Sequence, residues 1–300
     1  MDLSDLWIPA TLAAAAAQTA RNAAQRSLTE RIGTVGATQV RFLYGLPFAL
    51  LFLCLMPALT GEEVPGPTSG FFAYIALGSV AQILATAGML AAMRGRSFAV
   101  VTAIIKIEPV LVALFGIALL GDTLTVPTAT AILVATTGVV ILSVKPGAGL
   151  SRSGLAPFLY GIAAGGLFAL AAIGFRGAIL SLEDGSFLIR ATTTLAWGLA
   201  LQTAILMAWL VLLDREALLA SVRVWRLSLG AGFLGALASQ FWFIGFALTS
   251  AANVRTLALV EVLMAQAVAH RLLRQGTTTR EGAGLILVVA GVALLLATQM

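Results

Sequence analysis

Ten hydrophobic stretches fill the chain almost end to end, and the second five repeat the first five at low identity. They lie near residues 6–26, 35–58, 70–93, 98–120, 126–144, 154–177, 187–213, 227–248, 252–272 and 282–299. Set at a constant offset of 153, residues 99–142 run against 252–295 without a gap. Glu108 then meets Glu261, Thr125 meets Thr278, and Gly138 meets Gly291. An odd number of crossings per copy forces the two copies into opposite orientations. Inverted repeats of this kind place a binding site near the bilayer midplane, where the halves meet. The expectation is an all-α integral membrane protein, with ten transmembrane helices as two inverted five-helix repeats around a central cavity. The repeats are 1–146 and 147–300, joined by Lys145–Ser153 with its Pro146, Gly147 and Gly149.

Composition agrees. The chain is 60% hydrophobic and only 10% charged, where soluble domains carry roughly 25% charged residues. Each stretch approaches the ~20 residues needed to cross a hydrocarbon core. The stretches are continuously apolar, which excludes the alternating pattern of a membrane β-barrel. Crowded small residues, at Ala13–Ala17, Gly161–Gly166 and Gly230–Gly235, suit close helix packing in lipid.

The net charge of +5 is not a nucleic-acid footprint, because of where the charges fall. Arg21, Arg26, Arg31, Arg94, Arg96, Lys145, Arg152, Arg215, Arg223, Arg226, Arg271, Arg274 and Arg280 all fall in or beside loops on one side of a ten-span arrangement. The other side carries Arg176 together with Glu62, Glu63, Asp122, Glu183 and Asp184. A positive-inside bias of this size puts the first set in the cytoplasm and both termini outside. Asp2 and Asp5 stand where a cleavable signal would be basic.

Cys54 is the only cysteine and His270 the only histidine. The sequence therefore offers no internal disulfide and no thiolate metal site. It has no phosphate-binding Gly-Lys loop and no zinc-protease spacing. No metal, cofactor or enzymatic activity is expected.

Charges inside the spans are the best functional signal. Each costs about 2.5–3.5 kcal/mol to insert at mid-membrane on translocon scales, so it must be paired or face water. Arg41, Lys106, Glu108, Arg190 and Glu261 qualify, with Arg255 nearer a helix end. Arg41 and Arg190 correspond at an offset of 149, so each half supplies one arginine and one glutamate. One reading is two buried ion pairs that lock each repeat. The other makes Glu108 or Glu261 a proton or substrate-amine site. Lys106 is unmatched, since Leu259 is its counterpart. On a helix, Lys106 and Glu108 point about 200° apart and need separate partners. Lys106 either binds substrate or pairs with a carboxylate such as Glu261. Pro109, within a span and directly after Glu108, is the expected hinge, because proline removes a backbone donor and kinks a helix; Val262 replaces it in the second copy.

Neutral polar and aromatic residues complete the expected lining: Gln18, Asn22, Gln82, Thr86, Thr102, Tyr160, Gln240, Trp242 and Thr256. Amides beside aromatics suit an amphipathic metabolite, and interhelical hydrogen bonds are the competing role for each.

Glu108-Pro109 in the fourth span and Leu120-Gly121-Asp122 before the fifth resemble the drug/metabolite transporter superfamily, in its ten-helix EamA-type branch. Ala131–Val139 and Gly284–Val292, each stepping seven residues to a Gly-Val pair, carry the same resemblance. The family's usual Gly-Glu is Gly121-Asp122 here and Arg274-Gln275 in the second copy. Within the branch the chain is most similar to YddG-type amino-acid exporters. The resemblance implies a cavity lined by the first, third, fourth, sixth, eighth and ninth spans. It implies inner-membrane export of aromatic or neutral amino acids and related metabolites by alternating access. Such a carrier has a small-molecule substrate and the lipid bilayer as partners, and a monomer suffices to build its site. Family members usually have cytoplasmic termini; the charge distribution here places them outside. A carrier of anionic metabolites, such as sugar phosphates or nucleotide sugars held by Lys106 and Arg255, is the alternative. A lipid-modifying membrane enzyme is a second, disfavoured by the lack of clustered catalytic groups in the loops.

Overall fold

A computed structural model describes residues 3–95, 101, 105–143, 152–263 and 278–299. Thr102, Gln266, His270 and most of the expected joint between halves lie outside them. All regular structure among the described residues is helical: α1 (Trp7–Leu43), α2 (Leu46–Thr60), α3 (Ser69–Gly95), α4 (Glu108–Leu120), α5 (Val126–Ser143), α6 (Arg152–Leu180), α7 (Phe187–Leu213), α8 (Arg215–Arg223), α9 (Trp225–Leu248), α10 (Ala251–Leu257) and α11 (Thr279–Ala297). Six helical segments are long and apolar enough to cross a membrane, and Glu108–Leu120 and Val126–Leu142 are shorter apolar helices. The chain is a multi-pass membrane protein.

The first two spans differ from expectation. No loop separates residues 26 and 35; α1 continues through them and breaks only at Gly33. Its φ of 74° is in the left-handed region that glycine tolerates. A second turn at Tyr44-Gly45 then leads into α2. A Cβ on Gly45 would stand 2.6 Å from the Arg41 carbonyl oxygen, so the turn requires glycine. The short α8 is also new. Asp214 caps it by accepting from the Ala217 N–H at 3.1 Å. Tyr44 Oη and Ser228 Oγ both donate to the Ser221 carbonyl and dock it on the bundle.

Helices pair through glycine. α3 lies along α6, α1 along α9, and α5 along α11, while α4 meets α10 and α2 meets α7. A Cβ on Gly174 would stand 2.5 Å from the Gly78 nitrogen, and one on Gly291 the same distance from the Ala135 nitrogen. Backbones this close leave no room for a side chain. α11 starts on a capping box: Thr278 and Glu281 satisfy each other's backbone N–H groups.

Two breaks position the polar centre. The fourth span turns at Lys106-Ile107 before α4, and the ninth turns at Ala258-Leu259 after α10. Lys106 and Leu259 are equivalent at the offset of 153. Both breaks are 3₁₀-like: Val110 donates to the Ile107 carbonyl, and Glu261 and Val262 donate to the carbonyls of Ala258 and Leu259. Pro109 sits in the first turn of α4, where its missing donor costs nothing. It therefore starts a helix here and does not kink one. The second copy breaks without a proline.

Candidate functional site

A central cavity lies between these breaks. α1 supplies Gln18, Arg21 and Asn22, and Arg41 beyond the Gly33 break. α3 supplies Gln82 and Met89, and the two breaks supply Ile105, Lys106, Glu108, Arg255 and Glu261. Phe168 and Phe175 of α6 and Trp242, Phe243 and Phe246 of α9 form an aromatic wall, with Ser239 beside it. Phe175 and Phe243 lie with ring centres 4.7 Å apart.

The charges pair between segments distant in sequence. Lys106 forms an ion pair with Glu261. Arg255 Nε lies 3.1 Å from Glu108 Oε1, without the alignment of a hydrogen bond, so both atoms keep unused hydrogen-bonding capacity. The Arg255 guanidinium also lies 4.4 Å from the Trp242 ring centre and 5.4 Å from that of Phe246. A cation over an aromatic face in a desolvated site is attracted by the ring quadrupole. Trp242 Nε1 in turn donates to Gln18 Oε1 at 3.1 Å, which fixes the indole against α1. The turn at Lys106-Ile107 separates Lys106 from the helix that Glu108 begins, and each residue has its own partner.

This arrangement corrects the expectation of one Arg–Glu pair per repeat. Arg41 and Arg190 pair with neither glutamate. Arg41 Nη1 donates to Thr86 Oγ1 at 3.1 Å. Arg190 Nη1 reaches only the Leu182 carbonyl, at 3.5 Å, and does not line the cavity.

Of the neutral residues expected to line the cavity, Gln18, Asn22, Gln82 and Trp242 do so. Four others do not. Thr86 is buried behind Arg41, accepting from it and donating to the Gln82 carbonyl. Gln240 donates to Thr192 on α7, and Thr256 to the Ala252 carbonyl, both within the helix packing. Tyr160 is 54% exposed on the outside of the bundle. It is eight residues before Phe168, about 80° around the helix from the cavity face. Thr102 lies outside the described residues.

Arg21 is the principal addition. The sequence places it among the loop charges, yet it is 2% exposed inside the bundle. Its signal was present: Gln18, Arg21, Asn22 and Gln25 follow the i, i+3, i+4, i+7 spacing of one helix face.

A second, more polar cavity borders the α4–α5 turn and the α9–α10 junction. Gly121, with φ 67°, turns the chain so that Asp122 folds back over Gly116. Arg176 of α6 donates to Asp122 Oδ1 at 2.6 Å and, through Nε, to the Thr249 carbonyl at 3.1 Å. Asn253 adds bonds to Thr249 Oγ1 and Gln299 Oε1. One arginine thus ties three helix ends together.

Among the described residues no cluster of His, Cys, Asp and Glu has the makings of a metal site. What remains is a charged, aromatic-walled cavity inside a multi-helix membrane protein. Residues 5–144 match the EamA-like transporter family. The match covers just under half of the chain and is consistent with an EamA-type transporter of the drug/metabolite transporter superfamily. The matched stretch contains Arg21, Arg41, Lys106 and Glu108 from the cavity, and Gly121-Asp122. One solved crystal structure superposes with a TM-score of 0.70 over 99% of this chain and 98% of the other, at 14% identity, which speaks to the fold alone. Comparison with curated proteins returns no match.

Proposed function

We propose that this EamA-like membrane transporter is a secondary carrier in the inner membrane. It exports small amphipathic metabolites that carry a carboxylate, neutral and aromatic amino acids foremost, as YddG-type exporters do. The observation that carries the proposal is the cavity itself, where the unbonded nitrogens of Arg21 and the Arg255–Glu108 ion pair stand beside an aromatic wall. A zwitterion with an apolar side chain matches all three surfaces.

Alternating access of two inverted halves, 1–146 and 147–300, is the proposed mechanism. Exchanging the halves maps the α3–α6 contact onto α1–α9 and maps α4–α10, α5–α11 and α2–α7 onto themselves. This is the packing expected of a pseudo-two-fold axis, and the matched breaks at Lys106 and Leu259 support it. Those breaks, rather than Pro109 alone, are the proposed hinges. The Lys106–Glu261 and Arg255–Glu108 pairs span the halves, so rocking them apart must exchange partners. The charge asymmetry of the loops favours both termini outside the cell.

The second reading is a carrier of anionic metabolites. It is favoured by one count: Arg21, Arg41, Lys106 and Arg255 face only Glu108 and Glu261 in the cavity. Efflux of a labelled panel from proteoliposomes, with and without a pH gradient, separates the two. Selective flux of neutral amino acids supports the first reading. Flux of phosphate esters without amino-acid flux supports the second, and flux of neither refutes both.

A further inference from the structure

We infer that Arg21 and Arg41 form an oxyanion subsite at one end of the cavity, built to take a carboxylate or phosphate in a forked contact. The inference rests on the cavity being a substrate site and assigns the group that docks there.

Both arginines are buried, at 2% and 3% exposure, and both line the cavity. Their stems converge: a Cβ on Gly235 of α9 would stand 3.4 Å from Arg41 Cγ and 3.5 Å from Arg21 Cδ. Neither has a carboxylate. Asp2 aside, every Asp and Glu of the chain is among the described residues, and none forms an ion pair with Arg21 or Arg41. Arg21 Nη2 donates to Asn22 Oδ1, but its Nε and Nη1 have no partner. Arg41 spends Nη1 on Thr86.

Unpaired buried cations are among the costliest groups a membrane protein can hold. Two side by side in a cavity wall, with two nitrogens of Arg21 unbonded, make sense when an anion completes them. Arginine presents donors in a planar fork that matches carboxylate and phosphate oxygens, which lysine cannot reproduce. The spacing also explains Gly235, since any long side chain there would push between the two stems.

The test uses purified full-length protein in detergent, with Trp242 fluorescence and melting temperature as readouts. The probes are phenylacetate, phenyl phosphate and the neutral phenylacetamide. Wild type should be stabilised and quenched by one or both anions, and not by the amide at equal concentration. Preference between the two anions identifies the natural group. Arg21→Gln should weaken anion binding about 10- to 100-fold, the worth of charge-assisted hydrogen bonds. Arg41→Lys, which keeps the charge, should weaken it too if the fork matters. Equal binding of amide and anion by wild type overturns the subsite without any variant, as does undiminished anion binding by folded Arg21→Gln. Because binding is read without transport, failure here leaves the carrier reading standing. Absence of flux with intact anion binding would do the reverse.

Discussion

Two sets of buried arginines are built in opposite ways. Arg176 is saturated: Asp122 takes one nitrogen, the Thr249 carbonyl another, and three helix ends are held together. Arg21 and Arg41 are starved, with no carboxylate between them and two nitrogens of Arg21 unbonded in the cavity wall. A saturated charge contributes to the fold, because removing either partner strands the other. A starved charge taxes the fold and is retained for something that binds. Between these extremes stand the Lys106–Glu261 and Arg255–Glu108 pairs, which hold the centre.

The comparison makes ordered predictions. The largest effect on stability belongs to Glu108→Gln, which leaves Arg255 buried without its counter-charge. It should cost about 3–5 kcal/mol in detergent unfolding, and Glu108→Gln with Arg255→Met should recover most of that. Equal instability of the single and double variants would show that the pair is not the coupled unit described here. Arg176→Gln comes next, at about 1–3 kcal/mol, since its site is partly open and its partner Asp122 is left behind. Flux per folded molecule should survive that change. Arg21→Gln should lie near zero or stabilise slightly, because it removes an unpaired buried cation, yet flux of carboxylate substrates should fall at least tenfold. If melting instead drops as far as for Arg176→Gln, the contrast between the two sets collapses. The smallest effect is Gly235→Ala, within about 0.5 kcal/mol, because its Cβ meets the arginine stems at ordinary contact distance. Calorimetry on matched preparations checks all four stability values.

Much of this was legible in the residues. The offset of 153 aligned Glu108 with Glu261 before any coordinates, and both stand beside matched helix breaks. Separate partners for Lys106 and Glu108 were expected, with Glu261 one named partner for Lys106, although the two residues stand on either side of a turn and not on one helix. Other features depended on neighbours distant in sequence. The break after α10 carries no proline, so local chemistry does not announce it. Arg21 was hidden because a charge near a span end looks the same in sequence whether it faces water or a cavity. Tyr160 looked like a lining residue by type, but its angular position on α6 sends it outward. The first interhelical loop vanished because Ser27–Ile32 is polar yet helix-compatible, so only Gly33 could end the helix.

The most direct test of the central claim is amino-acid efflux by Lys106→Ala protein. Labelled phenylalanine efflux from proteoliposomes would be compared between wild type and Lys106→Ala at equal amounts of folded protein. Lys106 reaches across the halves to Glu261 and lines the cavity, so the account predicts saturable flux in wild type and its loss in the variant. Wild-type flux through well-folded Lys106→Ala would contradict it, and would move the transport site away from the crossed ion pairs.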